Sequence, residues 1–211
     1  MQVRKRRQDK AKSGGPRLRG RPRAFDAERA LDRALDVFWR KGYEGASLPD
    51  LTRAMGINRP SLYAAFGNKE SLFRRAVDRY ANGPAGYVRE ALALPTARQV
   101  VERLFREGVR MGTDPKHPRG CLMVQGALTC GDAAEPARRE LAGRRAAAEA
   151  ALRRRLERAR REGDLPPGAR PADLAKYVVT VLHGMSVQAA GGASRAELVR
   201  VADTALRAWP T

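Results

Sequence analysis

A chain of 211 residues can hold one or two small domains, and an apolar content of 43% is enough to fill their cores. The formal net charge of +19 points to a polyanionic partner, most simply nucleic acid, although a basic tail alone could carry much of it. No run approaches the ~18 apolar residues that span a bilayer, and two cysteines cannot build a disulfide framework, so a cytoplasmic chain is expected.

Residues 1 to 23 carry ten Lys or Arg against the single acid Asp9, nearly half of the net charge. With Gly14, Gly15 and Gly20 and almost no apolar residue, this arm is expected to be disordered when free, and it lacks the apolar run of a secretory signal. Arg19-Gly20-Arg21-Pro22-Arg23 resembles the core of an AT-hook, in which Arg19, Arg21 and Arg23 would lie in a narrow minor groove where negative potential is concentrated. The alternative is a solvated tail making loose phosphate contacts.

Asp26 is positioned to cap a first helix whose stripe is Ala30, Leu31, Ala34, Leu35, Phe38 and Trp39, ended by Gly42. Tyr43 is expected to pack at the corner, with a phosphate contact open to it. Ser47 then caps a short helix with Leu48, Leu51 and Met55 on one face, and Asp50 in its first turn suits the helix dipole. Gly56 supplies a left-handed turn. Asn58 caps a second short helix with Pro60 in its first turn, where no amide donor is lost. Leu62 and Phe66 point to the core, which leaves Arg59, Ser61, Ala64 and Ala65 on the outer face. This is a helix-turn-helix, whose second helix can enter a major groove. Asn68 caps the next helix, which buries Leu72, Phe73, Ala76, Val77 and Tyr80. Lys69 in its first turn opposes the dipole unless an anion sits there.

INRPSLYAAFGNKESLF closely resembles the recognition-helix signature of the tetracycline-repressor (TetR) family of transcriptional regulators, and the resemblance covers residues 24 to 82 most specifically. It implies an all-α protein in which a three-helix helix-turn-helix domain precedes a helical domain for ligand binding and dimerisation. The expected division is a basic arm (1–23), a DNA-binding domain (24–82) and an effector domain (83–211). DNA-facing residues would be Ser47, Arg59, Pro60, Ser61, Tyr63, Ala64, Ala65 and Lys69. Arg59 is the candidate for a bidentate contact to guanine, worth about 1–3 kcal/mol of discrimination. Tyr63 and Lys69 match family residues that contact phosphates, a solvated lysine being the alternative for Lys69. Ala64 and Ala65 can offer only methyl groups to thymine, and Ala46 stands where relatives often carry Thr, so direct readout is thin.

Beyond Asn82-Gly83-Pro84-Ala85-Gly86 the chain reads as helix throughout, without strand-like alternation. Expected helices run from Tyr87 to Leu94, from a Thr96-Gln99 capping box to Met111, from Cys121 to Cys130, over residues 134 to 162, from Pro171 to Gly191, and from a Ser194-Glu197 capping box to the end. The long helix buries a thin stripe of Leu141, Ala148, Leu152, Leu156 and Ala159. Its eight arginines between Arg144 and Arg161 read as a solvated face, a second DNA contact being the alternative.

By the resemblance, the last two helices pair with their copies across a two-fold axis through Leu174, Val178, Val181, Met185, Leu198, Val201, Ala205 and Trp209. Gly184 and Ala189 would permit close approach, and an intramolecular core is the alternative. Two copies would read a pseudo-palindrome of double-stranded DNA. The family pattern also implies a small-molecule effector, with Phe105, Met111, Cys121, Gln125 and His183 as candidate contacts, plain core or a satisfied polar group being the alternative for each. A reactive thiol of lowered pKa is one alternative for Cys121, expected at a helix N-terminus beside His117-Pro118-Arg119, plain core being the other. Cys121 with His117 makes at best half of a metal site. On one helix, Cys121 and Cys130 would lie about 13 Å apart along the axis, too far for a disulfide. No cofactor is expected. With only two histidines and no nucleophile elbow, phosphate loop or paired carboxylates, the chain does not read as an enzyme. The alternative to a repressor is an architectural, sequence-tolerant DNA binder driven by charge.

Overall fold

The computed structural model describes residues 26–128 and 131–210. The arm with Arg19, Arg21 and Arg23, and Cys130, lie outside the described residues. Ten α-helices and one short 3-10 turn form the described chain, with no strand among these residues.

The first four helices follow from their caps. Helix α1 (Ala27–Gly45) begins where the Asp26 carboxylate accepts the amides of Glu28 and Arg29, and it is kinked at Gly42. Helix α2 (Leu48–Met55) opens with a reciprocal box in which Ser47 Oγ accepts the Asp50 amide and Asp50 accepts the Ser47 amide. Gly56, at φ 70° and ψ 30°, turns the chain into α3 (Arg59–Phe66), where Asn58 Oδ1 accepts the Ser61 amide at 2.9 Å. Helix α4 (Lys69–Asn82) repeats the device with Asn68 and Ser71. The buried faces of all four meet around Phe38, whose ring lies edge-on to Phe73 at 5.0 Å. Each such aromatic removed from water contributes about 2–3 kcal/mol.

After a glycine-rich turn, α5 (Tyr87–Leu92), α6 (Ala97–Gly112), α8 (Glu135–Arg161), α9 (Pro171–Ala190) and α10 (Arg195–Arg207) build a second core. The Thr96-Gln99 and Ser194-Glu197 capping boxes are both formed. Helix α5 stops at Leu92, two residues before the expected Leu94, as a proline at position 95 disfavours helical angles in the residue ahead of it. Between α6 and α8 lies α7 (Leu122–Gln125), only four residues long where ten were expected. Gly126 explains the difference. A Cβ there would stand 2.6 Å from the Leu122 carbonyl oxygen and 3.0 Å from Leu141, and the Gly126 carbonyl accepts the Tyr43 amide at 2.7 Å.

The first core is not confined to the first four helices: Met111, Leu122, Ala127, Ala137 and Leu141 belong to it. Helix α7 and the start of α8 are therefore a shared floor between the two halves.

Of the eight arginines expected on a solvated face of α8, Arg153, Arg154, Arg158, Arg160 and Arg161 are exposed, whereas Arg144, Arg145 and Arg155 are engaged. Arg155 is buried at 5% exposure, and its guanidinium donates to the carbonyls of Leu94 and Pro95, closing the α5–α6 corner. Arg145 donates to the Met123 carbonyl at 2.5 Å. Arg144 pairs with Asp78 at 2.6 Å and with Glu140 at 2.7 Å. Ala148, expected in the buried stripe, is exposed. Among the described residues no helix is long and apolar enough to cross a membrane.

Candidate nucleic-acid interface and effector cavity

On α3, Arg59 and Pro60 occupy the first turn and are exposed, as is Ala64. Tyr63 is 49% exposed, a large ring with no packing reason to face water. Ser61 is half-buried, its amide held by Asn58. Ala65 departs from an outward position: it packs against the first core, and its carbonyl accepts from Arg75. That narrows the outward surface to Arg59, Pro60, Tyr63 and Ala64, with Ser61 at its edge. Arg53, in the last turn of α2, shares with Arg59 the depression between the two helices. Arg53 was not among the expected DNA-facing residues, although a cation at the end of the helix preceding the recognition turn was visible in the sequence.

Ser47 is more engaged than a free phosphate donor would be. Its hydroxyl donates to Asp50 Oδ2 at 2.7 Å, and Lys41 closes on the same oxygen at 2.9 Å. Hydrogen bonds from Lys41 and then Ser47 hold the Asp50 carboxyl down at a pKa of about 2. Lys69 Nζ lies 4.6 Å over the Tyr43 ring and 3.5 Å from the Glu44 carbonyl. Partial burial lowers its pKa, and Glu44 partly opposes that. Tyr43 itself packs edge-on against Phe73 at 5.0 Å, so its ring is structural and supports Lys69.

A cavity of about 470 Å³ lies between α4, α6, α8 and α9, with Cys121 and α7 at one end. Met111, Cys121 and His183 line it as expected candidates. Phe105 does not: it is wholly buried in the second core. Gln125 does not either, its amide being turned to the Arg119 carbonyl at 3.0 Å. Arg144, Arg145, Tyr87 and Ser186 line the cavity and were not foreseen.

The surroundings of Cys121 do not favour the reactive-thiol alternative. Burial pushes its pKa up, and the hydrogen bond from Tyr80, with Sγ and Oη 3.1 Å apart, does not reverse that. A four-residue helix supplies little dipole. His117 is stacked on Trp39 at 5.6 Å between centroids, so it does not join Cys121, and no group of three or more metal-ligating side chains occurs among the described residues. Trp39 in turn packs edge-on against Tyr80 at 4.7 Å. A continuous path of contacts thus runs from the cavity wall through Tyr80 to α1.

Five of the eight residues expected at a dimer seam are turned inward. Val178, Met185, Leu198, Ala205 and Trp209 are buried in the chain's own second core and have no surface to offer a copy. Leu174 and Val181 are half-buried, and Val201 is 46% exposed. Ala189 is buried, whereas a Cβ on Gly184 would meet open space. Val187, 51% exposed on α9, was not foreseen.

Two family models match: the tetR family of bacterial regulatory proteins over residues 30–76, and the tetracyclin repressor-like C-terminal domain over residues 96–205. The HTH-type transcriptional repressor ComR of Escherichia coli K12 is 37% identical over 195 residues, covering 91% of this chain and 92% of its own. The solved structure of the TetR-family regulator CifR, a cysteine mutant complexed with a 26 bp operator duplex, superposes with a TM-score of 0.86 at 48% identity, covering 90% of this chain and all of that one. A TetR regulator from Rhodococcus sp. RHA1 is 40% identical with a TM-score of 0.60, over 88% and 99% of the two chains. The chain therefore belongs to the TetR family of bacterial regulatory proteins and is a DNA-binding transcriptional regulator, not an enzyme.

Proposed function

We propose that the chain is a repressor that binds a pseudo-palindromic operator as a homodimer in the cytoplasm and leaves it when a small molecule fills the cavity. The observation that carries this is the joint between cavity and DNA-binding unit. Tyr80 lines the cavity, its hydroxyl is bonded to Cys121, and its ring packs on Trp39 of α1. On the other side of the same floor, the Tyr43 amide is bonded to Gly126. A ligand that displaces Cys121 or Tyr80 therefore moves α1 and α4, and with them α3.

In this proposal residues 24–82 read DNA and residues 83–211 sense and dimerise, with the arm of 1–23 adding Arg19, Arg21 and Arg23 in a flanking minor groove. Arg59 contacts guanine, while Tyr63, Lys69, Arg53 and the Ser47 helix start hold phosphates. The exposed faces around Gly184 and Val187 of α9 and Val201 of α10 form the seam between copies. A recognition surface of four or five residues is too small to specify a site alone, which is why two copies are needed.

Fluorescence anisotropy on a duplex selected by the protein tests this. Two chains per duplex, with release by a cavity ligand, is the expected result. One chain per duplex, or equal affinity for every duplex with a steep salt dependence, would instead support the architectural alternative.

A further inference from the structure

The cavity wall is mostly apolar, with Leu92, Leu104, Met111, Val179 and Leu182 among its residues. Its polar groups are few and poorly matched to one another. Arg145 reaches it from α8, and the only hydrogen bond its guanidinium makes among the described residues goes to the Met123 carbonyl, an uncharged acceptor. Every nearby acid is occupied by another cation. Glu149 holds Lys176 at 2.7 Å, Glu140 and Asp78 hold Arg144, and Glu107 holds Arg110 at 2.7 Å. Cys121 stays a neutral thiol because burial raises its pKa. His183 stays a neutral imidazole: burial, then the charge of Arg145, lowers its pKa. Arg145 is half-buried, and its guanidinium brings to the cavity a positive charge that no acid among the described residues pairs with. Two further hydroxyls on the wall are available to a ligand. Ser186 Oγ is buried without a partner, one turn beyond His183 on the same face of α9. The Tyr87 hydroxyl, also on the wall, makes no hydrogen bond among the described residues.

We infer that the cavity takes an amphipathic small molecule with one anionic group, a carboxylate or sulfonate, paired with Arg145, its apolar body lying along the α6 and α9 walls. The anion supplies the missing counter-charge, and Ser186 and Tyr87 can donate to its remaining oxygens. The inference rests on the effector role proposed for this cavity and names its chemical class.

The test uses the full chain with two fluorescent probes of similar shape, anionic anilinonaphthalene sulfonate and neutral phenylnaphthylamine. The expected result is that the anionic probe binds at least about tenfold tighter, the scale of one charge-assisted hydrogen bond. Arg145→Met should erase that preference while leaving the neutral probe's affinity in place, and Arg145→Lys should keep most of it. Ala148, although exposed to solvent, is one of the residues lining the cavity, and Ala148→Trp, which places a ring there, should abolish both signals and so separate the cavity from the basic surface. A preference that survives Arg145→Met, anionic binding that survives Ala148→Trp, or a wild-type chain that binds neither probe would overturn the inference. Operator affinity is followed in parallel. Probe binding that obeys these expectations but leaves the operator complex intact would refute effector release and leave the anion site standing.

Discussion

Gly42→Ala is the substitution in which backbone geometry and interdomain packing can be weighed together. Gly42 sits at φ 68° and ψ 177°, a region that an L side chain enters at a cost of about 1–3 kcal/mol. The added Cβ would also stand 3.0 Å from the Gly126 carbonyl oxygen. That oxygen accepts the Tyr43 amide at 2.7 Å, so relieving the contact weakens this hydrogen bond, worth about 1 kcal/mol. Together the expected loss is about 2–4 kcal/mol. For a chain of this size that corresponds to a fall in Tm of roughly 5–15 °C. Urea denaturation of the variant against the wild type measures it. A change below about 0.5 kcal/mol, the level of an ordinary surface substitution, would refute the view that α1 is pinned to the α7 turn through this glycine.

Lys69→Ala should weaken binding to all duplexes alike and reduce the salt slope by about 0.9, the value for one phosphate that is no longer neutralised; a slope unchanged in anisotropy titrations would remove Lys69 from the interface. Asp50→Ala should lower stability only where the wild-type carboxylate is charged. The Asp50 pKa is depressed to about 2 from an ordinary 3.8, so its contribution is complete above pH 3.8 and disappears as pH falls through about 2. Urea midpoints of the two proteins should therefore converge in strong acid, and a gap that persists there would contradict the assignment. Val187→Asp places a charge on the exposed face of α9; in sedimentation equilibrium the expected result is a dimer for the wild type and monomers for the variant, and a variant that stays dimeric would move the seam elsewhere.

The caps were legible because they are local. Ser47 with Asp50, Asn58 with Ser61, and Thr96 with Gln99 each satisfy amides within one turn, so residue type and spacing suffice. The orientation of α9 and α10 was harder to read. Apolar residues lie on more than one face of α9, and periodicity does not tell which face meets its own core and which a copy, so Val178 and Met185 fell on the wrong side. Helix α8 posed the same problem with arginines. Its run Arg153-Arg154-Arg155 surrounds the helix, and only the corner at Leu94 and Pro95, about sixty residues away in sequence, selects Arg155 for burial. The shortened α7 depends on Gly126 meeting Tyr43, a contact between distant segments that no local pattern encodes.

The most direct test of sequence-specific recognition by α3 is selection from a random duplex library at physiological salt, run in parallel with the wild type and Arg59→Ala. A two-fold symmetric consensus is expected for the wild type. For the variant, the expected result is loss of preference at one base pair in each half-site, worth about 1–3 kcal/mol. No consensus from the wild type, or an Arg59→Ala consensus identical to it, would contradict recognition through α3.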